Sequence, residues 1–121
     1  MKKLLRGGFV VTPRGSRRAD VLLDGEKVAQ VGHISPAEAK SAEVTDVSGC
    51  YLFPGFIDAH THFDLDVCNT TTADNFDTGT RSAIHGGTTM VIDFACPNKG
   101  ETLGYGLDLW HKKADGRSSC D

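Results

Sequence analysis

Residues 56–116 alternate between strand and helix patterns, and this order restricts the possible folds more than any other feature of the chain. An apolar run over residues 56–62 predicts a strand, and residues 74–85 repeat apolar side chains at helical spacing. The β-branched run 88–95 predicts a second, buried strand, followed by an amphipathic helix that ends near Gly116. Strand, helix, strand, helix is the opening of a parallel α/β fold.

The predicted parallel sheet is incomplete. Two strands leave an edge and two faces that need partners, and the sequence reaches Asp121 where a third strand is due. We therefore expect the chain to be part of a longer fold. The first helix has signals at both ends, because Asp74 has the side chain of an N-cap and Gly86 with Gly87 predicts a stop.

The first fifty residues predict a small β-rich domain. Phe9–Thr12 is a β-branched run, Asp24-Gly25 indicates a hairpin, and the partner strand 27–31 changes its alternation near Ala29. Residues 33–42 are polar and predict a loop. We place the domain boundary after residue 52, which gives domains 1–52 and 53–121.

Composition excludes several classes of protein. The chain has 13 Lys and Arg against 16 Asp and Glu, so it lacks the positive charge that nucleic acids or anionic membranes would attract. No apolar segment is long enough to span a bilayer, and we expect a cytoplasmic protein. The cysteines are widely spaced without a CxxC pair, which predicts buried thiols rather than disulfides or a zinc finger; they are Cys50, Cys68, Cys96 and Cys120.

His60 and His62 are the candidate metal ligands. Side chains two residues apart on a strand point to the same face, so both imidazoles can reach one ion. Neutral imidazole suits zinc and similar divalent metals. Alternation places Asp58 on the same face, where its carboxylate is a candidate to orient a ligand or a neighbouring loop. By itself, however, His-x-His also fits two surface histidines on an edge strand.

Four stretches of the chain resemble the amidohydrolase superfamily. Phe53–His62, read FPGFIDAHTH, is similar to the family signature, and Gly86–Phe94 is similar to its second-strand signature. Pro97–Glu101 and Leu109–Gly116 resemble dihydropyrimidinases and hydantoinases more than dihydroorotases. The resemblance implies the N-terminal part of a composite β-sandwich, then the first two βα units of a metal-dependent (β/α)8 TIM barrel that this chain leaves incomplete.

The same resemblance implies a metal-dependent hydrolase that opens the C–N bond of a small cyclic amide or imide. His60 and His62 would bind the more buried of two divalent ions, usually zinc. A bridging carbamylated lysine, two more histidines and a catalytic aspartate are expected on later strands, outside this chain. We therefore assign no catalytic residue here and expect the 121 residues alone to be inactive. The family is commonly tetrameric, so a homo-oligomer is expected for the full-length protein.

The loop after His62 leaves the substrate and some alternatives open. Where relatives often carry proline and glycine, this chain has Phe63 to Asn69, in which Leu65 and Val67 are candidates to line the substrate pocket. An amidohydrolase of allantoinase or dihydroorotase type is one alternative. A truncated, non-catalytic interaction protein is another, although relatives of that kind lack the metal histidines that this chain retains.

Overall fold

The computed structural model describes residues 1–121 and places them in two units, Met1–Pro54 and Gly55–Asp121. Each unit has its own sheet, and the two are described separately. The three helices are too short and too polar for any of them to cross a membrane.

The first unit is a five-stranded sheet with one short helix. Its elements are β1 (Lys2–Thr12), β2 (Gly15–Asp24), β3 (Lys27–Gly32), α1 (Pro36–Lys40), β4 (Ala42–Asp46) and β5 (Tyr51–Leu52). The sheet order is β3-β2-β1-β4, with β5 also paired to β1. Strands β1, β2 and β3 are antiparallel neighbours, whereas β4 and β5 run parallel to β1. The composite sandwich would need a second, facing sheet and stays a prediction.

The hairpin between β2 and β3 follows the sequence pattern closely. Asp24 pairs with Lys27, and the register then shifts between Leu22 and Leu23 so that Ala29 is the extra residue. The change in alternation near Ala29 is therefore a β-bulge. The apolar pattern of β3 predicts that Val28 and Val31 are buried, but both are exposed, because β3 is the edge strand and neither joins a buried cluster.

Buried side chains lie on both faces of the first sheet. Val21 and Leu22 are neighbours in β2 and therefore point to opposite faces, and both are buried. Leu22 belongs to a cluster with Leu4 and Ile34. Val21 belongs to a second cluster with Val10 and Ala19. This two-sided burial explains why β2 is apolar in consecutive positions.

The predicted loop over residues 33–42 contains the helix α1. Ser35 caps it: the Ser35 hydroxyl accepts from the Glu38 backbone N–H at 3.3 Å, and the Glu38 carboxylate accepts from the Ser35 backbone N–H at 3.0 Å. The Ser35 hydroxyl also donates to this carboxylate at 2.6 Å, and this bond, followed by the one from the Ser35 backbone N–H, holds the pKa of Glu38 below its ordinary value. The helix is only five residues long, so its apolar pattern is too short to be recognised by periodicity.

The second unit is a two-stranded parallel sheet with two helices and a small hairpin. Its elements are β6 (Phe56–Thr61), β7 (Asp66–Val67), β8 (Thr70–Thr71), α2 (Phe76–His85), β9 (Thr88–Asp93) and α3 (Leu103–Ala114). Strands β6 and β9 are parallel with α2 between them in the chain, as the sequence predicts. The backbone of Asp121 donates to Thr89 O and accepts from Val91 N, so it pairs with β9 as well.

The ends of α2 differ from the prediction by one residue at the start. Asn75 is the N-cap, and its side chain accepts from the Thr78 backbone N–H at 2.9 Å. The predicted cap, Asp74, instead accepts from the Thr78 hydroxyl at 2.9 Å. Both side chains are suitable acceptors, so sequence alone does not choose between them. Gly86 is the C-cap, as predicted.

The expectation that the second parallel strand is buried is wrong for most of its length. Met90, Ile92 and the following Phe94 are exposed, as are Phe56 and Ile57 on β6. Parallel strands are normally apolar because helices cover both faces of the sheet. In this unit α2 packs on β9, but the apolar side chains of both strands remain largely uncovered.

Buried thiols were also predicted, and this is wrong for Cys50 and Cys68, which are exposed. Cys68 is exposed because it occupies the turn between β7 and β8, and Cys50 follows a turn at Gly49. Cys96 and Cys120 are half-buried, and all four thiols are free. Burial, and then the neighbouring Asp121 carboxylate, raise the pKa of Cys120.

Replacing Gly79 with alanine is expected to destabilise the second unit, although the same change usually stabilises a helix. A methyl group at Gly79 would lie 2.5 Å from Cδ1 of Phe63, whose ring packs edge-on against Phe76. Overpacking of this kind costs about 1–3 kcal/mol, whereas the gain in helix propensity is at most about 1 kcal/mol. We expect a net loss, measured by urea denaturation.

Gly104→Ala is the matched control for this experiment. Gly104 lies in α3, and the nearest atom to an added methyl group is the Thr102 hydroxyl oxygen at 3.9 Å. With room for the methyl group, propensity alone acts, and G104A should be neutral or stabilising by up to about 1 kcal/mol. A G79A variant as stable as G104A would show that the Phe63 ring moves aside freely.

Candidate metal centre

His60 and His62 converge at the carboxyl end of β6. His60 lies within the strand and His62 directly follows it, and both imidazoles are exposed. Their Nε2 atoms are 3.1 Å apart, and the two rings are nearly perpendicular, with centroids 4.9 Å apart. The structure therefore brings both predicted ligand atoms to one point, consistent with their spacing of two residues.

The separation of the Nε2 atoms fits a shared ion. Two nitrogens, each about 2.0–2.1 Å from a tetrahedral zinc ion, are about 3.3 Å apart, close to the observed 3.1 Å. The same distance also suits an N–H···N hydrogen bond between two neutral imidazoles. No group of three or more His, Cys, Asp or Glu side chains in the chain is arranged to hold an ion.

Phe94 forms one wall of the histidine pair. Its ring centroid lies 4.7 Å from that of His60 and 5.4 Å from that of His62. Phe94 follows the last residue of β9, at the same end of the sheet as the histidines. An aromatic ring against both imidazoles restricts their rotation and shields one side of the pair from water. No local sequence pattern marks Phe94 as part of the site.

Asp58 lies near the histidines but does not contact their rings. Its carboxylate accepts a hydrogen bond from the backbone N–H of His60 at 3.2 Å. No hydrogen bond joins it to either imidazole. The structure therefore connects Asp58 to the backbone that carries a candidate ligand.

Asp93 accepts three hydrogen bonds from distant parts of the second unit. Oδ2 accepts from the Thr61 hydroxyl at 3.0 Å and from the Phe63 backbone N–H at 2.9 Å. Oδ1 accepts from Nε1 of Trp110 at 2.8 Å. One carboxylate therefore joins the end of β6, the loop that follows it, β9 and α3. A charged residue ending an apolar strand was the available sequence signal, but its three donors lie 17 to 32 residues away.

The loop that carries Leu65 and Val67 is a small closed structure. The Leu65 backbone N–H donates to the Thr72 hydroxyl, and the Thr72 backbone N–H donates to Leu65 O, both at 3.0 Å. Strands β7 and β8 form a hairpin within it, with positive φ angles of 52° at Cys68 and 61° at Asn69, as a type I′ turn requires. Leu65 is half-buried and Val67 is exposed.

Lys113 attaches the start of this loop to α3. Its Nζ donates to the backbone carbonyl of Asp64, which has a positive φ of 52°, and lies 4.6 Å from the centre of the Trp110 ring. A lysine in the last turn of a helix is usually solvated, but the Lys113 side chain is half-buried by these contacts.

Comparisons with known proteins agree on one family. The sequence model of the Amidohydrolase family matches residues 51–104. D-hydantoinase of Geobacillus stearothermophilus is 44% identical over 121 residues, which are 100% of this chain and 25% of that protein. Dihydropyrimidinase of Rattus norvegicus is 38% identical over 121 residues, covering 98% of this chain and 23% of that protein.

A solved structure gives the same result for the fold. The crystal structure of dihydropyrimidinase from Brevibacillus agri NCHU1002 matches with a TM-score of 0.93 and 50% identity, over 100% of this chain and 26% of that one. The chain thus spans about a quarter of the length of the relatives it matches. Sequence and structure agree that the chain is similar to the amidohydrolase family, and the relatives that it matches are hydantoinases and dihydropyrimidinases.

Proposed function

We propose that this chain provides the first two metal ligands, His60 and His62, of an enzyme that hydrolyses the C–N bond of a small cyclic amide or imide of hydantoin or dihydropyrimidine type. The observation that carries the proposal is the convergence of the two Nε2 atoms to 3.1 Å within the segment that matches the amidohydrolases. Amidohydrolases are generally metal-dependent. The names of the relatives suggest the class of substrate.

The chemistry of the two imidazoles suits a divalent ion, for which we propose zinc in a two-metal centre. A bound divalent ion polarises a carbonyl oxygen and lowers the pKa of water, which makes amide hydrolysis accessible near neutral pH. His60 and His62 would hold it through the Nε2 lone pairs of their neutral rings. Phe94 would keep water from one side of both rings.

The substrate would lie at the carboxyl end of β6 and β9. Active sites of parallel α/β barrels occupy this end of the strands. Leu65 and Val67 follow β6 there and offer apolar side chains to a small ring. The remaining ligands, the bridging carbamylated lysine and the catalytic aspartate are proposed to lie outside these residues, so the 121-residue chain alone should not open the ring.

A chimaera tests the proposed function. Residues 1–121 replace the matching quarter of the Geobacillus stearothermophilus D-hydantoinase, and hydantoin ring opening and bound metal are measured. We expect a folded chimaera with the metal content of the parent and measurable ring opening, whereas the 121-residue chain alone shows neither activity nor two bound ions. A chimaera that folds and binds the parental amount of metal but has no activity on any cyclic amide would contradict the proposed substrate class.

A further inference from the structure

The Asp93 carboxylate receives hydrogen bonds from both neighbours of His62. The Thr61 hydroxyl and the Phe63 backbone N–H both donate to Oδ2, at 3.0 and 2.9 Å. Thr61 precedes His62 and Phe63 follows it, so a single oxygen fixes the backbone on either side of this histidine. Thr61 is buried, whereas His62 is exposed, which is consistent with the two side chains pointing in opposite directions along the strand.

The backbone ladder between β6 and β9 is irregular at this position. Asp58 pairs with Val91, but the next pair is Thr61 with Asp93, so three steps along β6 match two along β9. His60 lies inside this irregular stretch. Because a bulge leaves residues without ladder partners, regular strand pairing does not fix the direction of its side chain. The hydrogen bonds that Asp93 accepts lie at the end of this irregular stretch.

The three donors to Asp93 require a carboxylate. Two of them meet at Oδ2, and Trp110 Nε1 meets Oδ1 at 2.8 Å. An amide at this position has one oxygen and one NH2 group. The NH2 group would face an N–H or O–H donor and could not accept its hydrogen bond. A carboxylate accepts on both oxygens, and its charge makes these hydrogen bonds stronger than neutral ones. These three donors explain why the apolar strand β9 ends in an aspartate.

We propose that Asp93 is a positioning residue for the histidine pair: by holding Thr61 and Phe63, it sets the direction in which His60 and His62 present their Nε2 atoms. Through Trp110 the same carboxylate also attaches this segment to α3. The proposal rests on the proposed metal centre only for the function that positioning would serve. The positions of the two imidazole rings can be measured without metal.

The test compares five variants of the 121-residue chain. Thr61→Val removes the hydroxyl donor at nearly constant volume, Thr61→Ser restores it, and Asp93→Asn removes one acceptor. Thr80→Val is the control for stability, because it removes a fully buried hydroxyl that donates to Phe76 O and accepts from Ser119 N. His60→Ala is the reference for the metal affinity that remains when one candidate ligand is removed.

Two readouts separate positioning from general destabilisation. Proton NMR of the metal-free chain measures the contacts of the His60 and His62 rings with each other and with Phe94. Calorimetry with Zn²⁺ alone measures metal affinity. We expect D93N and T61V to lose ring contacts and to bind Zn²⁺ about 10-fold more weakly or worse, T61S to recover most of the affinity, and T80V to lower the melting temperature with both readouts unchanged.

The outcomes distinguish this proposal from the proposed function. Ring contacts and Zn²⁺ affinity in T61V and D93N equal to those in T80V would overturn the role of Asp93. If D93N does not fold, the role of Asp93 is decided by whether T61S has stronger ring contacts and higher Zn²⁺ affinity than T61V. If the unaltered chain binds Zn²⁺ no better than H60A, the metal pair fails in this chain, and the ring contacts alone then decide whether Asp93 positions the histidines.

Discussion

Replacing His60 with alanine in the chimaeric hydantoinase is expected to remove bound metal and to reduce the rate of ring opening by more than about 100-fold. Loss of a group that merely orients a metal ligand typically costs about 10- to 100-fold, and loss of the ligand itself should cost more. Its Nε2 lies 3.1 Å from that of His62, so the remaining imidazole would face the ion alone. Metal analysis of the purified protein and initial rates measure the two effects.

His111→Ala is the matched control. This histidine lies on α3 with its Nδ1 atom 3.2 Å from the Asp115 carboxylate, and it contacts neither candidate ligand. H111A should keep the metal content and rate of the chimaera, whereas His62→Ala should behave as H60A does. Full metal occupancy in H60A would show that the 3.1 Å contact is an imidazole–imidazole hydrogen bond with no role in metal binding.

Trp110→Ala is expected to unfold the second unit or to destabilise it by about 3–5 kcal/mol. Trp110 is 7% exposed, its Nε1 donates to Asp93, and Lys113 lies over its ring. The substitution removes a large buried side chain, leaves Oδ1 of Asp93 without its donor and deprives Lys113 of its aromatic contact. Urea denaturation followed by far-ultraviolet circular dichroism measures the loss, which is a large part of the stability of a small domain.

Two controls assign this loss to its causes. Trp110→Phe keeps an aromatic ring but removes the N–H donor, and should cost about 1–3 kcal/mol. Leu107→Ala changes a 53% exposed residue of the same helix and should stay within about 0.5 kcal/mol of the unaltered chain. A W110A variant as stable as L107A would mean that α3 does not depend on its contact with Asp93.

Local patterns predicted most of the elements. The Asp-Gly turn, the irregular position at Ala29, the parallel strands and both longer helices depend on residues close together in sequence. The helix α1 was missed, although Ser35 and Glu38 have the spacing of a capping box. Burial was predicted less well: β3 and β9 have the apolar composition of covered strands, but what covers a strand depends on other segments.

The candidate site was predicted only in part for the same reason. His60 and His62 are two residues apart, so the sequence itself places them on one face of the strand. Phe94 and Asp93 reach the same place from a strand more than 30 residues later, and no local period encodes which of their side chains meets β6. Nothing local to Lys113 indicates that it reaches the carbonyl of Asp64.

The hairpin after β6 also bears on how such an enzyme can acquire new substrates. Its base is closed by the reciprocal hydrogen bonds of Leu65 and Thr72, and its tip by a turn of its own. None of the residues in the tip takes part in the hydrogen bonds of Asp93. Under the proposed function, the residues between these two closing positions would line the substrate. Mutations, insertions or whole-loop exchanges there would then alter specificity while the histidine pair stays in place, which separates the evolution of specificity from that of metal binding.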